Sequence, residues 1–534
     1  MNEGMRGVYT NITRIRRLVF FEVAKLGYSG DIDQEKIDLL PYRIVPGDIA
    51  TYRESVFLER AIVGERIRLA MGLPMQGVDR PAHISEGIEE ASKPETYYQP
   101  PLINIIKFAC NACEDNTYSV TNACQGCLAH PCREICPKGA ITFVDKKAHI
   151  DRSKCISCGM CMKVCPYNAI HHHVRPCANA CGMHAIGSDA FGRAKIDYDR
   201  CVSCGMCLVN CPFGAIADKS QLFQVIQAIN GGEEVIACIA PAFVGQYGGR
   251  GDVGKLKGAL KLLGFAGVEE VAVGADLCTV QEAKDFVDEV PAKLPFMGTS
   301  CCPAWASMAK MEFPEHAASI SMALTPMTLT ARLVRLIHPD AKIVFVGPCA
   351  AKKLEAMRTS VRSEVDFVLT FEEVGAMMDA KGIIYRAVDD TGQSDFEEAS
   401  SDGRGFAVSG GVAHAVVNEV KAKYPGREVK VACAEGLDEC RLMMRQATHG
   451  KLDGYLLEGM ACPGGCVAGA GTLKPIKKTA GMVAMYQKRA RRVRAGEDVN
   501  ADELDALMGE RFDAERVAQG PCGEPAEEGR SAGD

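Results

Sequence analysis

No apolar run in this chain of 534 residues is long enough to span a bilayer. Positive charge is not in surplus: the formal net charge is −7, which argues against general nucleic-acid or anionic-membrane binding. A secretory pattern is also missing. "RIRRLVFFEVAKLGY" has the outline of a twin-arginine signal, but Glu22 and Lys25 interrupt its apolar stretch and no small-residue cleavage site follows. It reads as an amphipathic helix of a cytoplasmic protein. Cysteine is absent before residue 110. The cysteine-free "TYRESVFLERAIVGERIRLAMGL" spaces its apolar residues as a helix does.

What abounds is cysteine, 26 residues in all, and sixteen of them lie between residues 110 and 211. Disulfide scaffolds are short and secreted, which this pattern is not. Most of the cysteines fall in CxxC steps followed by Pro, as suits thiolates facing one metal centre. The texture divides the chain into four parts. Residues 1–100 read as a mostly helical N-terminal domain and linker, the linker being "DRPAHISEGIEEASKPETYYQPP". Residues 101–218 read as a ferredoxin-like α+β iron–sulfur module. Residues 219–490 read as an α/β domain of parallel sheets flanked by helices, with strands in "EVIACIAPA", "VEEVAVGAD", "KIVFVGPC", "REVKVACAE" and "DGYLLEGMAC". Residues 491–534 read as a C-terminal helix and disordered tail, where Cys522 is an incidental thiol.

Two segments repeat the bacterial ferredoxin run C-x2-C-x2-C-x3-C-P: Cys155, Cys158, Cys161, Cys165, and Cys201, Cys204, Cys207, Cys211. Three thiolates on a tight loop grip one [4Fe–4S] cubane, and the fourth reaches across to the next. "CQGCLAHPCREICP" (Cys124, Cys127, Cys132, Cys136) widens the third step. Crossing then groups Cys124, Cys127 and Cys132 with Cys165, and Cys155, Cys158 and Cys161 with Cys136. Cys201, Cys204 and Cys207 take Cys181 from "RPCANACGMHAI". Cys110, Cys113, Cys177 and Cys211 remain and make a fourth set. For Cys110 and Cys113 a zinc site or free thiols stay open as alternatives. His171, His172 and His173 read as a polar turn. Such a module is a wire for single electrons, so the second half must hold a redox centre.

Four further cysteines have settings of their own. Cys302 lies in "LPFMGTSCCPAW", Cys349 ends "KIVFVGPC", and Cys462 and Cys466 sit in the Gly-rich "EGMACPGGCVAGAG". Open α/β sheets build sites at strand ends, and four converging thiolates would hold one more cubane. "TSCCPAW", "GPCAAKKLE" and "EGMACPGGCVAGAG", with "FAVSGGVAHAV" before the last, resemble the signature motifs of the iron-only ([FeFe]) hydrogenases in that family's order. The resemblance spans residues 105–485 or so. It implies an H-cluster: a cubane joined through one cysteine sulfur to a diiron subcluster with CO, CN⁻ and a bridging dithiolate. Cys302, Cys349, Cys462 and Cys466 would be the cubane ligands, with Cys466 the bridge. Cys301 is then left without iron, and the resemblance implies that it passes protons to the dithiolate amine. A thiol can be tuned for that work; a buried structural thiol is the alternative. The relay to solvent would run through Glu282, Ser321 and Asp285, the carboxylates lying in "GADLCTVQEAKDF". A solvated helix face is the alternative for both. Lys352 would hydrogen-bond a cyanide and Met460 would pack beside the diiron centre. Cys238, Cys278, Cys433 and Cys440 read as buried small hydrophobes.

Gly347, Met327, Ala242 and Ala470 depart from the best-known branch, and there is no plant-type [2Fe–2S] domain; these departures resemble the branch called group B. The resemblance implies a hydrogenase running 2H⁺ + 2e⁻ ⇌ H₂, with ferredoxin or a similar carrier as electron partner and maturation enzymes delivering the diiron unit. Two alternatives are an H₂-sensing regulatory protein with slow turnover and an iron–sulfur assembly or electron-transfer protein.

Overall fold

The computed structural model describes residues 8–497 apart from 78–79, 95–99, 249–252, 359–363, 390–394 and 397; Cys522 and the tail lie outside the described residues. No helix among them is long and apolar enough to cross a membrane.

Two parallel sheets organise the second half. In the four-stranded sheet Val235–Ile239 and Lys342–Gly347 are central, flanked by Gly267–Glu270 and Phe367–Thr370. Val235–Ile239 is buried throughout, which explains its unbroken apolar run. In the three-stranded sheet Tyr455–Met460 lies between Met297–Gly298 and Lys430–Glu435. Three strand ends lead directly into the cysteine motifs: Gly298 toward Cys302, Gly347 toward Cys349, and Met460 toward Cys462.

"VEEVAVGAD" departs from expectation. Its strand ends at Glu270, and the helix Val271–Glu289 begins at the next residue. Residues 271–279 are buried on every side, and a buried helix and a buried strand look alike in sequence. Cys238, Cys278 and Cys440 are buried as expected, but Cys433 is exposed. Lys430–Glu435 is an edge strand with one face open, and Cys433 lies on it.

The N-terminal helices have no separate core. Val19, Phe20 and Val23 of the helix Asn11–Ser29 pack in one cluster with Ile226, Val374 and Met377. Arg16 of that helix pairs with Glu372. The stretch read as a linker holds the short helix Ile88–Ala91, whose Ile88 and Ala91 join the same core.

The iron–sulfur module is one ferredoxin-like unit inserted into another. The outer unit closes with Ile103–Ile105 antiparallel to Ile216–Asp218 and carries the hairpin Ile186–Ser188 with Ala194–Ile196. The inserted unit closes with Thr117–Val120 antiparallel to Ile170–His173 and carries the hairpin Ile141–Val144 with Lys147–Ile150. His171, His172 and His173 therefore lie on a strand, not in a turn. The cross-strand partner Tyr118 explains this, since His172 stacks on its ring.

Candidate active site and its thiol sets

All four expected thiol sets are brought together in the module. Cys136, Cys155, Cys158 and Cys161 line one recess. Cys110, Cys113, Cys177 and Cys211 line another. Cys132 lies in the field of Cys127 and Cys165, and Cys124 packs in the same cluster as Cys132 and Cys165. Cys201, Cys204 and Cys207 each feel Cys181.

A second repeat, which spacing reasoning overlooked, underlies this order. Pro131-Cys132 leads to Cys136 and Ala140; Pro176-Cys177 leads to Cys181 and Ala185 with the same steps. In both, the alanine N–H donates to the second cysteine's sulfur, at 3.3 Å for Ala140 to Cys136 and 3.4 Å for Ala185 to Cys181. Ala169 and Ala215 do the same for Cys165 and Cys211, each at 3.4 Å. Such N–H···S bonds stabilise added negative charge on a cluster and raise its potential.

Burial pushes up the thiols of Cys177, Cys204 and Cys207, and neighbouring sulfurs push Cys177 and Cys207 further. Four thiolates in so small a space need a positive centre between them. Among the described residues no three Cys, His, Asp or Glu side chains close on a single ion. Four thiols are the donor chemistry of an iron–sulfur cubane, and two of the sets line a recess.

The sets lead inward. Cys207 feels Cys177 of the next set, and Cys204 feels Cys462 of the α/β domain. Gly205, beside Cys204, takes φ of +77°, and a Cβ there would come within 2.6 Å of Ala470 and 3.3 Å of Ala350. A glycine is required for the module to approach this closely. Ala470, one of the departures from the family pattern, forms the opposing wall.

Cys302, Cys349, Cys462 and Cys466 converge where the strands end. Burial raises the Cys349 thiol, and Cys462, Cys302 and Cys466 raise it further. Cys302 is the cap residue of the helix Pro303–Glu312, and amides of Ala461, Trp305 and Ala304 donate toward its sulfur. Burial still raises the Cys302 thiol, and these donors and the nearby Lys352 only partly offset it. The four sulfurs fit a fifth cubane by the same reasoning.

Cys301 belongs to a different neighbourhood. Both cysteines pack against the cluster of Met460, Phe406 and Val412, but Cys302 also packs with Cys349 in the cluster around Trp305 and Cys301 does not. Burial pushes its thiol well up, and the carboxyls of Glu282 and Glu458 push it further. Glu282 is fully buried, and its Oε1 accepts from the Ser300 amide at 3.0 Å and the Ser300 hydroxyl at 3.3 Å. Its Oε2 is buried and has no hydrogen-bond partner among the described residues. Burial raises Glu282 to about 7, against the pull of the Ser300 amide first and then of the Ser321 and Ser300 hydroxyls. Asp285, one turn along the helix, is 5% exposed and accepts from Gln281 Nε2 at 2.8 Å. Both carboxyls are thus interior groups, not a solvated face. Ser321 is likewise buried.

Lys352 Nζ stands 2.7 Å from Glu355 Oε2 and donates to Thr325 Oγ1 at 3.2 Å. Burial works against its charge, but Glu355 outweighs burial and keeps it cationic. Ser300, Thr325 and Glu355 were not singled out from the sequence. Ser300 and Glu355 sit inside the quoted motifs "TSCCPAW" and "GPCAAKKLE", next to residues that were. Of the other departures, Gly347 faces the Phe345 ring, which would lie 2.4 Å from a Cβ. Ala242 and Met327 are buried in the main core.

Comparison with known proteins finds matches in the cysteine-rich module and in the α/β half. Residues 233–470 match the family described as "Iron only hydrogenase large subunit, C-terminal domain", and residues 148–171 and 193–216 match 4Fe-4S binding domains. "Periplasmic [Fe] hydrogenase large subunit" of Nitratidesulfovibrio vulgaris is 31% identical over 373 residues, 60% of this chain and 85% of that one. "Iron hydrogenase 1" of Clostridium pasteurianum is 29% identical over 430 residues, 69% of this chain and 73% of that one. "Cytosolic Fe-S cluster assembly factor narfl" of Danio rerio is 26% identical over 271 residues, 41% of this chain and 66% of that one.

Proposed function

We propose a reaction from one premise: this chain belongs to the iron-only hydrogenase family. The reaction is the interconversion of H₂ with two protons and two electrons, the electrons travelling through the module's cubanes to or from a ferredoxin-type carrier. The observation that carries this reading is the split environment of the paired cysteines. Cys302 lies with three other thiols, whereas Cys301 lies against Glu282, whose Oε2 has no hydrogen-bond partner among the described residues. A site built only to hold a cubane has no use for the second arrangement. Turnover with reduced ferredoxin tests it; loaded protein that neither evolves nor consumes H₂ would overturn it.

The bound H-cluster supplies the electron storage and the H–H bond chemistry. The protein's part is to hold it and to move protons. Cys302, Cys349, Cys462 and Cys466 would ligate the cubane, with Cys466 the bridge to the diiron unit. Lys352, fixed by Glu355 and Thr325, presents a cation where CO and CN⁻ ligands concentrate negative charge. Met460 and Phe406 keep water out. Protons pass between Cys301 and Glu282, then by way of Ser321 to Asp285.

Glu282 sets the pH dependence. Its raised carboxyl holds a proton more tightly in the folded than in the unfolded chain. Its contribution to stability therefore falls as pH rises from the ordinary carboxyl range to about 7, the reverse of a salt-bridged carboxylate. H₂ evolution is expected to decline through the same region as Glu282 loses its proton. Glu282→Gln should remove that inflection from the pH profile and slow turnover at every pH; a profile that keeps its step near 7 excludes Glu282 as the titrating group.

The fourth module cubane, held by Cys110, Cys113, Cys177 and Cys211, has its own test. Replacing Cys110 and Cys113 with Ser should lower iron by about four per chain, one cubane's worth. Unchanged iron would return these two thiols to the zinc or free-thiol reading.

The assembly reading draws on the narfl likeness, which reaches 41% of this chain. Cys301 and Lys352 with their partners favour the enzyme, and turnover separates the two.

A further inference from the structure

We propose that the N-terminal helices set a potential on the electron route: Arg53 and Arg66, with Arg175 of the module, form a collar of guanidinium groups around Cys110, Cys113, Cys177 and Cys211 and make their cubane the highest-potential station of the module's four. The proposal rests on the reading of these cysteines as one cubane set of an electron wire. The matched family segments begin at residue 148 and account for none of the N-terminal helices.

The helix Val56–Ala70 packs directly on this set. Its Ile62 and Leu69 share one buried cluster with Cys177 and Cys211, and Cys110 packs against that cluster. Arg66, on the same helix, is buried and donates to the Gly214 carbonyl. Arg53 precedes the helix and donates through Nη2 to the carbonyls of Phe213 at 2.7 Å and Ala109 at 3.2 Å. Glu59 fixes its place: this fully buried carboxylate accepts from the Arg53 amide at 2.9 Å and the Thr51 amide at 2.7 Å. Arg175 is buried and donates twice to the Cys113 carbonyl, at 3.0 Å and 2.8 Å. The three guanidiniums thus bond main chain just before Cys110, at Cys113 and just after Cys211. Among the described residues no carboxylate pairs with any of them. Asp218 is the carboxylate that Arg66 feels, and Lys353 already holds it. Burial lowers Arg66 to about 10, which leaves it cationic at neutral pH.

The other sets lack such a collar. Of the five arginines between residues 101 and 218 Arg175 alone is buried. Arg133 and Arg152 are exposed and paired with Glu134 and Glu114, and Arg193 pairs with Asp189. Unpaired positive charge in a dry site favours the state that carries more negative charge. Reduction at this set takes one electron from a neighbouring cubane, which is oxidised by one; no bond forms or breaks. The added negative charge falls inside the collar, so an electron rests here. The next set inward holds Cys207, which feels Cys177 of this one. H₂ needs two electrons, and a station that keeps one has it in place when the second arrives.

The test poises the cluster-loaded full chain at a series of potentials and follows the paramagnetic resonance signals of the reduced cubanes. No H₂ is measured, so shifted potentials in a chain that makes no H₂ would overturn the hydrogenase reading and leave this one standing. The reduction step missing from the variant with Cys110→Ser and Cys113→Ser belongs to this set. In the wild type it should come first of the module's four as the potential is lowered. Arg53→Gln and Arg66→Gln, with iron content unchanged, should each cut its reduced-to-oxidised ratio at a fixed potential about tenfold, a downward shift of about 59 mV for one electron. The other three steps should stay in place, and Arg53→Lys should restore most of the shift. Arg53 is only half-buried, so Arg53→Gln reads the effect even where Arg66→Gln unfolds. No step missing from the double-cysteine variant, a step at this set that comes after the others, or one unmoved in Arg53→Gln would overturn the proposal.

Discussion

Cys301→Ala is expected to keep the iron content of the loaded protein, and its CO and CN⁻ infrared bands, while H₂ evolution falls by about 10²–10⁴-fold. That is the range a positioned proton donor contributes. Cys301 can be removed without touching the cubane because its surroundings differ from those of its neighbour. Cys349 and Cys466 both feel Cys302 strongly, and Cys301 is not among the groups that set their acidity. Cys301 instead faces Glu282 and Glu458 and packs on Met460. Cys302→Ala should do the opposite and lose bands and activity together. Cys301→Asp should recover part of the loss, since the same burial that raises Glu282 would raise the new carboxyl into a useful range. If Cys301→Ala turns over at near the native rate, the thiol only fills space. A buried thiol that only packs would cost about 1 kcal/mol of stability on truncation and nothing in rate.

The thiol sets were legible because ligand spacing is local. A cubane demands its cysteines within a few residues, and only the crossing partner is distant. The partners of the relay were not legible in the same way. Ser300 was in plain view beside Cys301, but its bond to Glu282 links residues 18 apart, and only the folded sheet and helix bring them together. Glu355 lies three residues from Lys352, a spacing that predicts a helical pair, yet its burial comes from the whole domain. The misreadings share a cause. "VEEVAVGAD" and the histidine triplet were judged from local pattern, where burial on all sides and a cross-strand ring decide the outcome. The N-terminal helices likewise showed an amphipathic pattern without showing what they would cover.

Lys353→Met is expected to destabilise the protein by about 3–5 kcal/mol, the cost of leaving buried carboxylates without their counter-ion. Lys353 is fully buried, and its Nζ lies 2.9 Å from Asp218 Oδ2, 3.0 Å from Glu373 Oε1 and 2.7 Å from the Lys219 carbonyl. Met has a similar length and fills the same channel, so a cavity would not explain the loss. Burial pushes the Asp218 carboxyl up, but Lys353 and then Arg16 overcome it and hold it below its ordinary value. In the wild type that stabilisation is present above the ordinary carboxylate range and is lost as pH falls through the lowered value. In Lys353→Met the two carboxylates can relieve their strain by taking up protons, so the deficit should shrink as pH falls. The triad also joins the two halves of the electron route. Asp218 ends the strand that closes the outer ferredoxin unit, and Lys353 lies on the helix Ala351–Ala356 just after Cys349. Chemical denaturation of the wild type and Lys353→Met at neutral and acidic pH reads the effect directly. A triple replacement, Lys353→Met with Asp218→Asn and Glu373→Gln, should regain most of the stability because all three members of the triad are then uncharged. A loss under about 1 kcal/mol in the single variant would mean that the carboxylates find other partners. The module would then be held against the active-site domain by apolar packing and by other polar links, such as that of Arg441 to the Gly182 carbonyl.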